Sequence, residues 1–366
     1  MNKTFVFKLK PTATQEAGLQ TYLDVTREVY NAALEQRMHA WRHGRVGRTW
    51  VEQQREVKDL RAAGLLRGCH VHASQTAIRR LDRSYRAFFA GSGYPRFKGR
   101  RHWRSFTFNN YGNGCVIRDG RARITSVGSI RLRQHRELEG TPKTATIVRK
   151  ADGWYVHIAC DMGSAPALRG GERSTGLDLG LEAFATLSDG QRIANPRHLR
   201  HAAKGLAREQ RALARKQRGS QRRDKQRQRV ALAHLKVDRA RRDFHQKLAL
   251  DLVQRFDRIA VEDLAVAAMR SKGGAYKRGL NRSMADASWG QFLTILAEKC
   301  EQQGVELVTV DARHTSQICS GCGVVEKKAL SERWHDCECG VSLHRDHNAA
   351  LNIEHRAWSV PAVEVA

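Results

Sequence analysis

The sequence predicts an α/β protein of several domains, and three observations support this prediction. The chain has 366 residues, more than the roughly 250–300 at which a single hydrophobic core usually stops growing. Short alternating apolar segments, typical of strands, dominate residues 94–162, whereas helical periodicity dominates residues 14–90 and 196–257. Four of the eight cysteines lie close together near the C-terminus, which indicates a small metal-stabilised unit.

The N-terminal part combines strands with a helical segment. Residues 4–10 alternate apolar with other side chains before Pro11, which predicts a strand and a turn. Residues 1–13 and 92–165 are predicted to form a small β-barrel, and residues 14–91 a helical insert in it. The later strands of the barrel are predicted at residues 105–109, 115–117, 122–124, 144–149 and 154–161.

The C-terminal part begins after a linker rich in Pro, Gly and Arg at residues 165–173. Residues 196–257 are predicted to form an antiparallel helical hairpin that turns at Gly219-Ser220, because Leu and Val recur seven residues apart on either side. The other predicted elements are strands at residues 175–179, 183–187, 258–261 and 305–310, and helices at residues 286–303 and 347–357.

The charge of the chain predicts a polyanionic partner. Lys and Arg number 65 against 37 Asp and Glu, a formal net charge of +28 that favours nucleic acid through counterion release. Residues 197–229 carry thirteen Lys or Arg against only Glu209 and Asp224. A solvated helix surface is the alternative, but like charges at helical spacing cost stability unless something compensates them.

The sequence predicts neither a membrane protein nor a secreted one. No segment approaches the ~18 consecutive apolar residues of a spanning helix. The first residues are too charged, and their apolar run too short, for a secretory signal. The cysteines are not spaced as a disulfide framework, so we expect a cytoplasmic location.

Three acidic residues stand at the edges of apolar elements: Asp178 in GLDLG, Glu262 in IAVEDL and Asp346 in LHRDHNAALNI. Each alone could be an ordinary strand-end or helix-capping residue. Together, an Asp on one strand, a Glu ending a later strand and an Asp opening a late helix are typical of RNase H-like nucleases, which hydrolyse phosphodiesters with two magnesium ions. The glycines that flank Asp178 are expected to let the backbone pass close to a substrate.

The clustered cysteines form C-x2-C, a gap of fourteen residues, then C-x-C. This pattern predicts a structural zinc ribbon whose first knuckle is Cys319 and Cys322. The second pair, Cys337 and Cys339, is one residue shorter than usual, so either Cys337 or Asp336 is the remaining ligand. Buried free thiols would not recur in Gly-flanked pairs, and a redox C-x-x-C would need a βαβ context.

These motifs, in this order, resemble the TnpB or OrfB proteins of bacterial insertion sequences, which are related to the smallest type V CRISPR effector nucleases. The resemblance extends over the whole chain, with FVFKLKPT, LDRSYRAFF, YPRFKGR and SWGQFL also in the family's order. It departs at the ribbon. The family usually has a Cys two residues after the aromatic residue, where this chain has Asp336 after Trp334.

The resemblance implies a fold, an activity and partners. The fold would be a β-barrel wedge domain with a helical recognition insert, then a RuvC nuclease domain at residues 172–366 that contains the helical hairpin and an inserted zinc ribbon at residues 313–343. The activity would be RNA-guided cutting of target DNA beside a short flanking motif, by an enzyme associated with a transposable element. Asp178, Glu262 and Asp346 would be the catalytic ligands of two magnesium ions, and the four clustered cysteines would bind one structural zinc.

Softer signals in the N-terminal half suggest nucleic-acid contacts, because Gln and Asn can hydrogen-bond base edges and Arg can bind phosphate. Each could equally be an ordinary surface residue. The predicted contacts are Gln75, Arg79, Arg80, Arg83, Thr107, Asn109 and Asn110.

Two other classes of function compete with the guided nuclease. One is a non-cutting RNA- or DNA-binding protein with a structural zinc, in which the acids only cap elements. The other is a transposase that joins strands by RNase H-like chemistry. The intact acidic set disfavours the first, and the resemblance disfavours the second, because these proteins accompany a separate transposase.

Overall fold

The computed structural model describes residues 1–264, 269, 274–329 and 332–358. The chain divides into two compact units, Met1–Ser164 and Ala165–Ala366. The last eight residues of the expected nuclease domain, and residues 330–331 of the expected ribbon, lie outside the described residues.

The first unit is built on a seven-stranded sheet in the order β2-β6-β7-β1-β5-β4-β3, and every neighbouring pair is antiparallel. Because β2 and β3 are the two ends of this order, the hydrogen bonding describes an open sheet rather than the closed barrel that we expected. The strands are β1 (Asn2–Lys10), β2 (Ser105–Phe108), β3 (Cys115–Arg118), β4 (Arg121–Ile124), β5 (Gly128–Arg133), β6 (Thr141–Lys150) and β7 (Gly153–Asp161).

Strand β5 is not among the strands that we expected. Its Ile130 and Leu132 point into the core, while Arg131 and Arg133 are exposed, so the segment follows the alternation of a half-buried strand. The predicted strand at residues 4–10 is confirmed as β1, which pairs with β5 and β7 at the centre of the sheet.

The helical segment of the first unit is three helices, α1 (Ala13–Gly44), α2 (Trp50–Ala62) and α3 (Val71–Phe89). Capping boxes begin the first two, because the side chains of Thr12 and Thr49 accept backbone N–H bonds at their N-termini. Tyr22 of α1 stacks on Phe106 of β2 with ring centroids 4.6 Å apart, so the helix and the sheet share one hydrophobic core.

The second unit contains a five-stranded sheet in the order β10-β9-β8-β11-β12. Strands β8, β11 and β12 run parallel, and β9 is antiparallel to both of its neighbours. The strands are β8 (Ser174–Leu179), β9 (Ala183–Leu187), β10 (Arg192–Ala194), β11 (Arg258–Glu262) and β12 (Glu306–Val310).

The predicted helical hairpin is confirmed as α4 (His198–Ala214) and α5 (Gln221–Arg255). Ser220 caps α5 by accepting the backbone N–H of Arg223, and Gln226 donates back to Glu209 across the pair.

The helix that we expected over residues 286–303 is confirmed, but it begins at Trp289 rather than at Asp286, and an additional helix that we did not expect precedes it. The chain forms α6 (Ala275–Ala287) and α7 (Trp289–Gln303), which are separated at Ser288 by a left-handed residue with φ of 53°. A left-handed residue cannot continue a right-handed helix. Just before the break, the carboxylate of Asp286 accepts hydrogen bonds from the backbone N–H groups of Leu199 and Arg200 at the start of α4.

The last helix, α8 (Arg345–Trp358), follows a short hairpin of β13 (Trp334–Asp336) and β14 (Ser342–His344). It packs very closely against β8 at Gly176, where an added Cβ would lie 2.1 Å from the Ala350 carbonyl oxygen and 2.7 Å from the Glu354 nitrogen. The expectation for this glycine was therefore wrong, because its missing side chain accommodates a helix of the same chain and not a substrate.

Candidate metal centres

Two of the three predicted acids stand side by side on neighbouring strands. Asp178 lies on β8 and Glu262 ends β11, and the parallel register of Leu177 with Val261 brings them to the same edge of the sheet. Asp346 comes from a separate element, the first turn of α8, which packs against β8. The three residues therefore approach one region from three elements that are distant in sequence.

The electrostatics of the region disfavour three free carboxylates. Burial raises the pKa of Asp178 well above its usual range, and the negative charges of Glu262 and Asp346 raise it further against the opposing field of Arg345. Burial also raises the pKa of Glu262, although a hydrogen bond from Thr315 opposes this shift. A divalent cation would relieve the mutual repulsion of these acids.

Each acid has its own hydrogen-bonding or ionic neighbours. Glu262 Oε1 accepts a hydrogen bond of 2.5 Å from Thr315 Oγ1. Asp346 Oδ2 lies 3.8 Å from a guanidinium nitrogen of Arg192 and 3.8 Å from His344 Nδ1. Within the described residues the three carboxylates do not converge tightly enough to share one ion. Two ions about 4 Å apart would need only a looser arrangement.

The four clustered cysteines do converge. Their Sγ atoms all lie within 4.8 Å of one another, and they are the only group of three or more metal-ligating side chains found so close among the described residues. Cys319 and Cys339 are 3.6 Å apart at Sγ, and Cys322 and Cys337 are 3.5 Å apart. These separations exceed the ~2.05 Å of a disulfide and approach the ~3.8 Å expected for a tetrahedral Zn–S length of about 2.3 Å.

The cysteine geometry favours one of the two alternatives for the irregular ligand. Cys337 stands within the cluster, whereas Asp336 accepts a 2.5 Å hydrogen bond from Ser342 across the β13–β14 hairpin. Trp334 donates to the same hydroxyl at 2.7 Å. Asp336 is therefore hydrogen-bonded within the hairpin, and Cys337 is the residue that lies with the other three cysteines.

The surroundings of Cys319 lower the pKa of its thiol. Burial alone would raise the pKa of Cys319, but backbone N–H groups of Cys322 and Gly321 donate to its sulfur and help to lower that pKa to about 5. Backbone N–H groups that point at sulfur are the usual support of a zinc knuckle, since the bound form is the thiolate.

The seven predicted nucleic-acid contacts occupy different environments in the first unit. Arg79, Arg83 and Asn110 are exposed, and the Arg79 guanidinium stacks over Trp50 at 5.2 Å. Gln75 lines a basic cleft of about 510 Å³ between α2 and α3. These four side chains are accessible to a ligand.

The other three are partly buried, and two of them have partners inside the unit. Arg80 donates to the Ser105 carbonyl at 2.7 Å and lies over the Trp103 ring at 5.0 Å. Thr107 shares a 2.9 Å hydrogen bond with Thr146. Asn109 is half-buried, and its side-chain oxygen has no hydrogen-bond partner among the described residues.

Thr315 is a site residue that the sequence analysis did not select. It is 4 % exposed and lies in TSQICSGCG, four residues before the first cysteine. A threonine in a loop gives no signal of its own, because hydroxyls there usually hydrogen-bond local backbone.

Three family models match the chain. A "Probable transposase" model covers residues 157–272, and a "Cas12f1-like, TNB domain" model covers residues 289–353. A "Helix-turn-helix domain" model matches residues 1–45, although here this segment forms β1 and the single helix α1.

Related proteins match over almost the full length. A protein of Streptomyces pristinaespiralis named "Putative RNA-guided DNA endonuclease" is 33% identical over 363 residues, which cover 96% of this chain and 89% of that protein. The chain belongs to this family of TnpB-like, RNA-guided DNA endonucleases. The InsQ member from Escherichia coli K12 is 28% identical, with 96% of this chain and 91% of that protein covered. TnpB-like proteins of Acanthamoeba polyphaga mimivirus match a shorter region of 122 residues at 34% identity.

The solved structures that this TnpB-like chain matches are less similar to it. A Cas12f1–sgRNA–target DNA complex aligns with 97% of this chain and 99% of that chain, at 16% identity and a TM-score of 0.34. A CRISPR–Cas12f ternary complex aligns with 93% of this chain and 81% of that chain, at 15% identity and a TM-score of 0.38.

No helix among the described residues has both the length and the apolar character that would cross a bilayer.

Proposed function

We propose that this protein is an RNA-guided, metal-dependent DNA endonuclease of an insertion sequence. The observation that carries the proposal is the placement of Asp178 and Glu262 at one edge of two paired parallel strands, with Asp346 entering from α8. The family membership supports the same reading, because the relative from Streptomyces carries that activity in its name.

The three carboxylates are proposed to hold two magnesium ions, which when bound would activate water and stabilise the leaving oxygen of a phosphodiester. Asp178 and Glu262 supply oxygens from the sheet, and Asp346 supplies oxygens from the helix. Arg192 lies 3.8 Å from Asp346 and is 38 % exposed, so its guanidinium can also meet a substrate phosphate.

The second unit is proposed to be an RNase H-like RuvC domain over residues 172–366. Its support is the strand order β10-β9-β8-β11-β12 with only β9 antiparallel to its neighbours. The ribbon at residues 313–343 is proposed to be inserted between β12 and α8, and to bind one structural zinc through Cys319, Cys322, Cys337 and Cys339.

The first unit is proposed to combine a wedge domain, from residues 1–13 and 92–165, with a recognition insert at residues 14–91. Gln75, Arg79, Arg83 and Asn110 are its accessible candidates for contacts with nucleic acid. Arg80, Thr107 and Asn109 are also proposed as contacts. Arg80 and Thr107 would have to exchange their present partners, whereas the side-chain oxygen of Asn109 has no hydrogen-bond partner among the described residues.

A bound RNA is proposed to select the target. The net charge of +28 exceeds what a short DNA footprint would neutralise, and base pairing would leave the protein only a short flanking motif to recognise. The basic hairpin of α4 and α5 supplies much of this cationic surface.

The test is to express the protein with and without the RNA encoded beside its gene and to strip nucleic acid at high salt. Each preparation is then incubated with a plasmid library in magnesium. We expect sequence-specific cutting only with the RNA. Equal specific cutting by RNA-free protein would leave a simpler nuclease, strand joining would indicate a transposase, and neither reaction would indicate a binding protein.

A further inference from the structure

The segment between β12 and the first cysteine pair contacts the proposed nuclease site directly. Thr315, at its start, is buried and donates its hydroxyl proton to Glu262 Oε1 at 2.5 Å. A carboxylate on one torsionally free side chain can rotate, and a short hydrogen bond to one oxygen fixes which way the other oxygen points. Thr315 therefore sets the orientation of Glu262.

Helix α8 holds this same segment by two asparagines. Asn352 Nδ2 donates to the carbonyls of Thr315 at 2.8 Å and Ile318 at 2.7 Å. Asn348 donates to the Ile318 carbonyl at 2.7 Å and accepts the backbone N–H of Ser320 at 2.9 Å. Ile318 and Ser320 are the two neighbours of Cys319, so the clamp holds the base of the first cysteine knuckle.

The clamp is one buried face of the helix. Arg345, Asn348 and Asn352 follow the i, i+3, i+7 spacing of a single face, and all three are at most 9 % exposed. Arg345 extends the clamp by donating to Ser316 Oγ at 3.0 Å. Buried amides with every bond directed at one loop are costly to disturb, because each lost partner leaves an unsatisfied group.

We propose that Thr315 is a positioning residue for the magnesium site, and that Asn348 and Asn352 link its position to the order of the cysteine ribbon. The inference rests on the proposed function and deepens it, because it makes the metal affinity of the nuclease site depend on the ribbon. The path is continuous: the cysteine knuckle, the asparagine clamp, the Thr315 hydroxyl, and the Glu262 carboxylate.

The first experiment removes the hydroxyl. Thr315→Val keeps the shape of the side chain, and Thr315→Ser keeps the hydroxyl. Thr294→Val is the matched control, since Thr294 is exposed and its hydroxyl donates to the Gly290 carbonyl within α7. The measurements are the dissociation constant of Mn2+ by paramagnetic resonance and the Mg2+ concentration for half-maximal DNA cutting by the RNA-loaded protein.

We expect Thr315→Val to raise both metal values about tenfold, as losses of hydrogen bonds to metal ligands usually do, with an unchanged KM for DNA. Thr315→Ser should restore most of the affinity, and Thr294→Val should match the parent. Unchanged metal values in Thr315→Val would overturn the positioning role. So would an equal loss in Thr315→Ser, which would indicate packing rather than the hydroxyl.

The second experiment tests the link to the ribbon by a double-mutant cycle. Asn352→Ala and Thr315→Val are made singly and together, and the Mn2+ dissociation constant is measured for each. If both act on Glu262 through the same bond, the double variant should bind Mn2+ no more weakly than Thr315→Val alone. Additive losses, or a parental constant in Asn352→Ala, would overturn the link.

The direct Mn2+ measurement separates this inference from the proposed function. If the parent complex cuts no DNA at any Mg2+ concentration, the proposed function fails, and the Mn2+ constants of the five variants still decide the inference. If the parent cuts and the constants do not differ, the inference alone fails.

Discussion

The two candidate metal centres of the second unit are built in opposite ways. The four cysteines come from two local turns, and their sulfurs already lie within 4.8 Å of one another. The three carboxylates come from two strands and a helix that a hydrophobic core supports, and among the described residues they are not found as a comparably close group. One centre is held together by its ligands, and the other is held together by the fold around it.

This difference decides what each ion contributes. The ribbon has few buried apolar side chains of its own, so a zinc ion bound by the cysteines would supply folding free energy there. The carboxylates are positioned by the surrounding fold, where burial, and then the negative charges of Glu262 and Asp346, raise the pKa of Asp178. Removing the first ion should therefore cost structure, whereas removing the second should cost only chemistry.

The largest expected effect tests the chemical half of this comparison. Asp178→Ala, Glu262→Ala and Asp346→Ala should each reduce cutting by about a thousandfold or more, because an ion of the pair loses a ligand. RNA and DNA binding should remain, and the far-ultraviolet circular dichroism should not change. A variant that cuts at the parental rate would remove its residue from the site.

Loss of a cysteine tests the structural half. Cys319→Ser should lose the zinc and expose the C-terminal region to proteases, because structural zinc contributes on the order of 10 kcal/mol to folding of small zinc modules. Metal analysis and limited proteolysis measure the two effects, and Cys300→Ser, outside the cluster, is the control. If the purified parent protein contains no zinc, the cysteine centre does not depend on a metal, and the comparison fails.

A smaller effect separates the two candidates for the irregular ligand. Cys337→Ser should lower zinc content strongly, whereas Asp336→Ala should leave it near one ion and lose only the hydrogen bond to Ser342, roughly 1 kcal/mol. The measurements are zinc content and competition with a chelator. The reverse order would transfer the fourth ligand from the thiolate to the aspartate.

The smallest effect concerns the burial of Asp178 and its repulsion by the other two carboxylates. Folding raises the pKa of Asp178, so its ionised form destabilises the metal-free protein once the pH exceeds the unfolded value of about 3.9, and stability falls until the folded pKa is passed. Asp178→Asn should therefore raise Tm at neutral pH without metal, and the gain should vanish near pH 4. A lower Tm for Asp178→Asn at neutral pH would mean that the charge is already compensated.

Much of the fold could be predicted from periodicity, because most strands and the helical hairpin alternate or repeat cleanly. Strand β5 was missed because only two buried apolar residues, Ile130 and Leu132, alternate with its exposed arginines, and two residues give a weak periodic signal. The break at Ser288 could not be predicted either, because a left-handed serine has no sequence signature. For the sites, the acids and cysteines are visible as residue types, but Thr315 acts through a contact with a residue 53 positions away.

The tight packing at Gly176 has a consequence for how relatives of this chain are read. An alanine there would press on the Ala350 carbonyl and push away the helix that carries Asp346, although all three acids would still be present in the sequence. An inactive relative could thus arise from the gain of one methyl group. A survey of such proteins that counts only carboxylates would overlook it, so the glycine two residues before the first acid belongs in any sequence signature of activity.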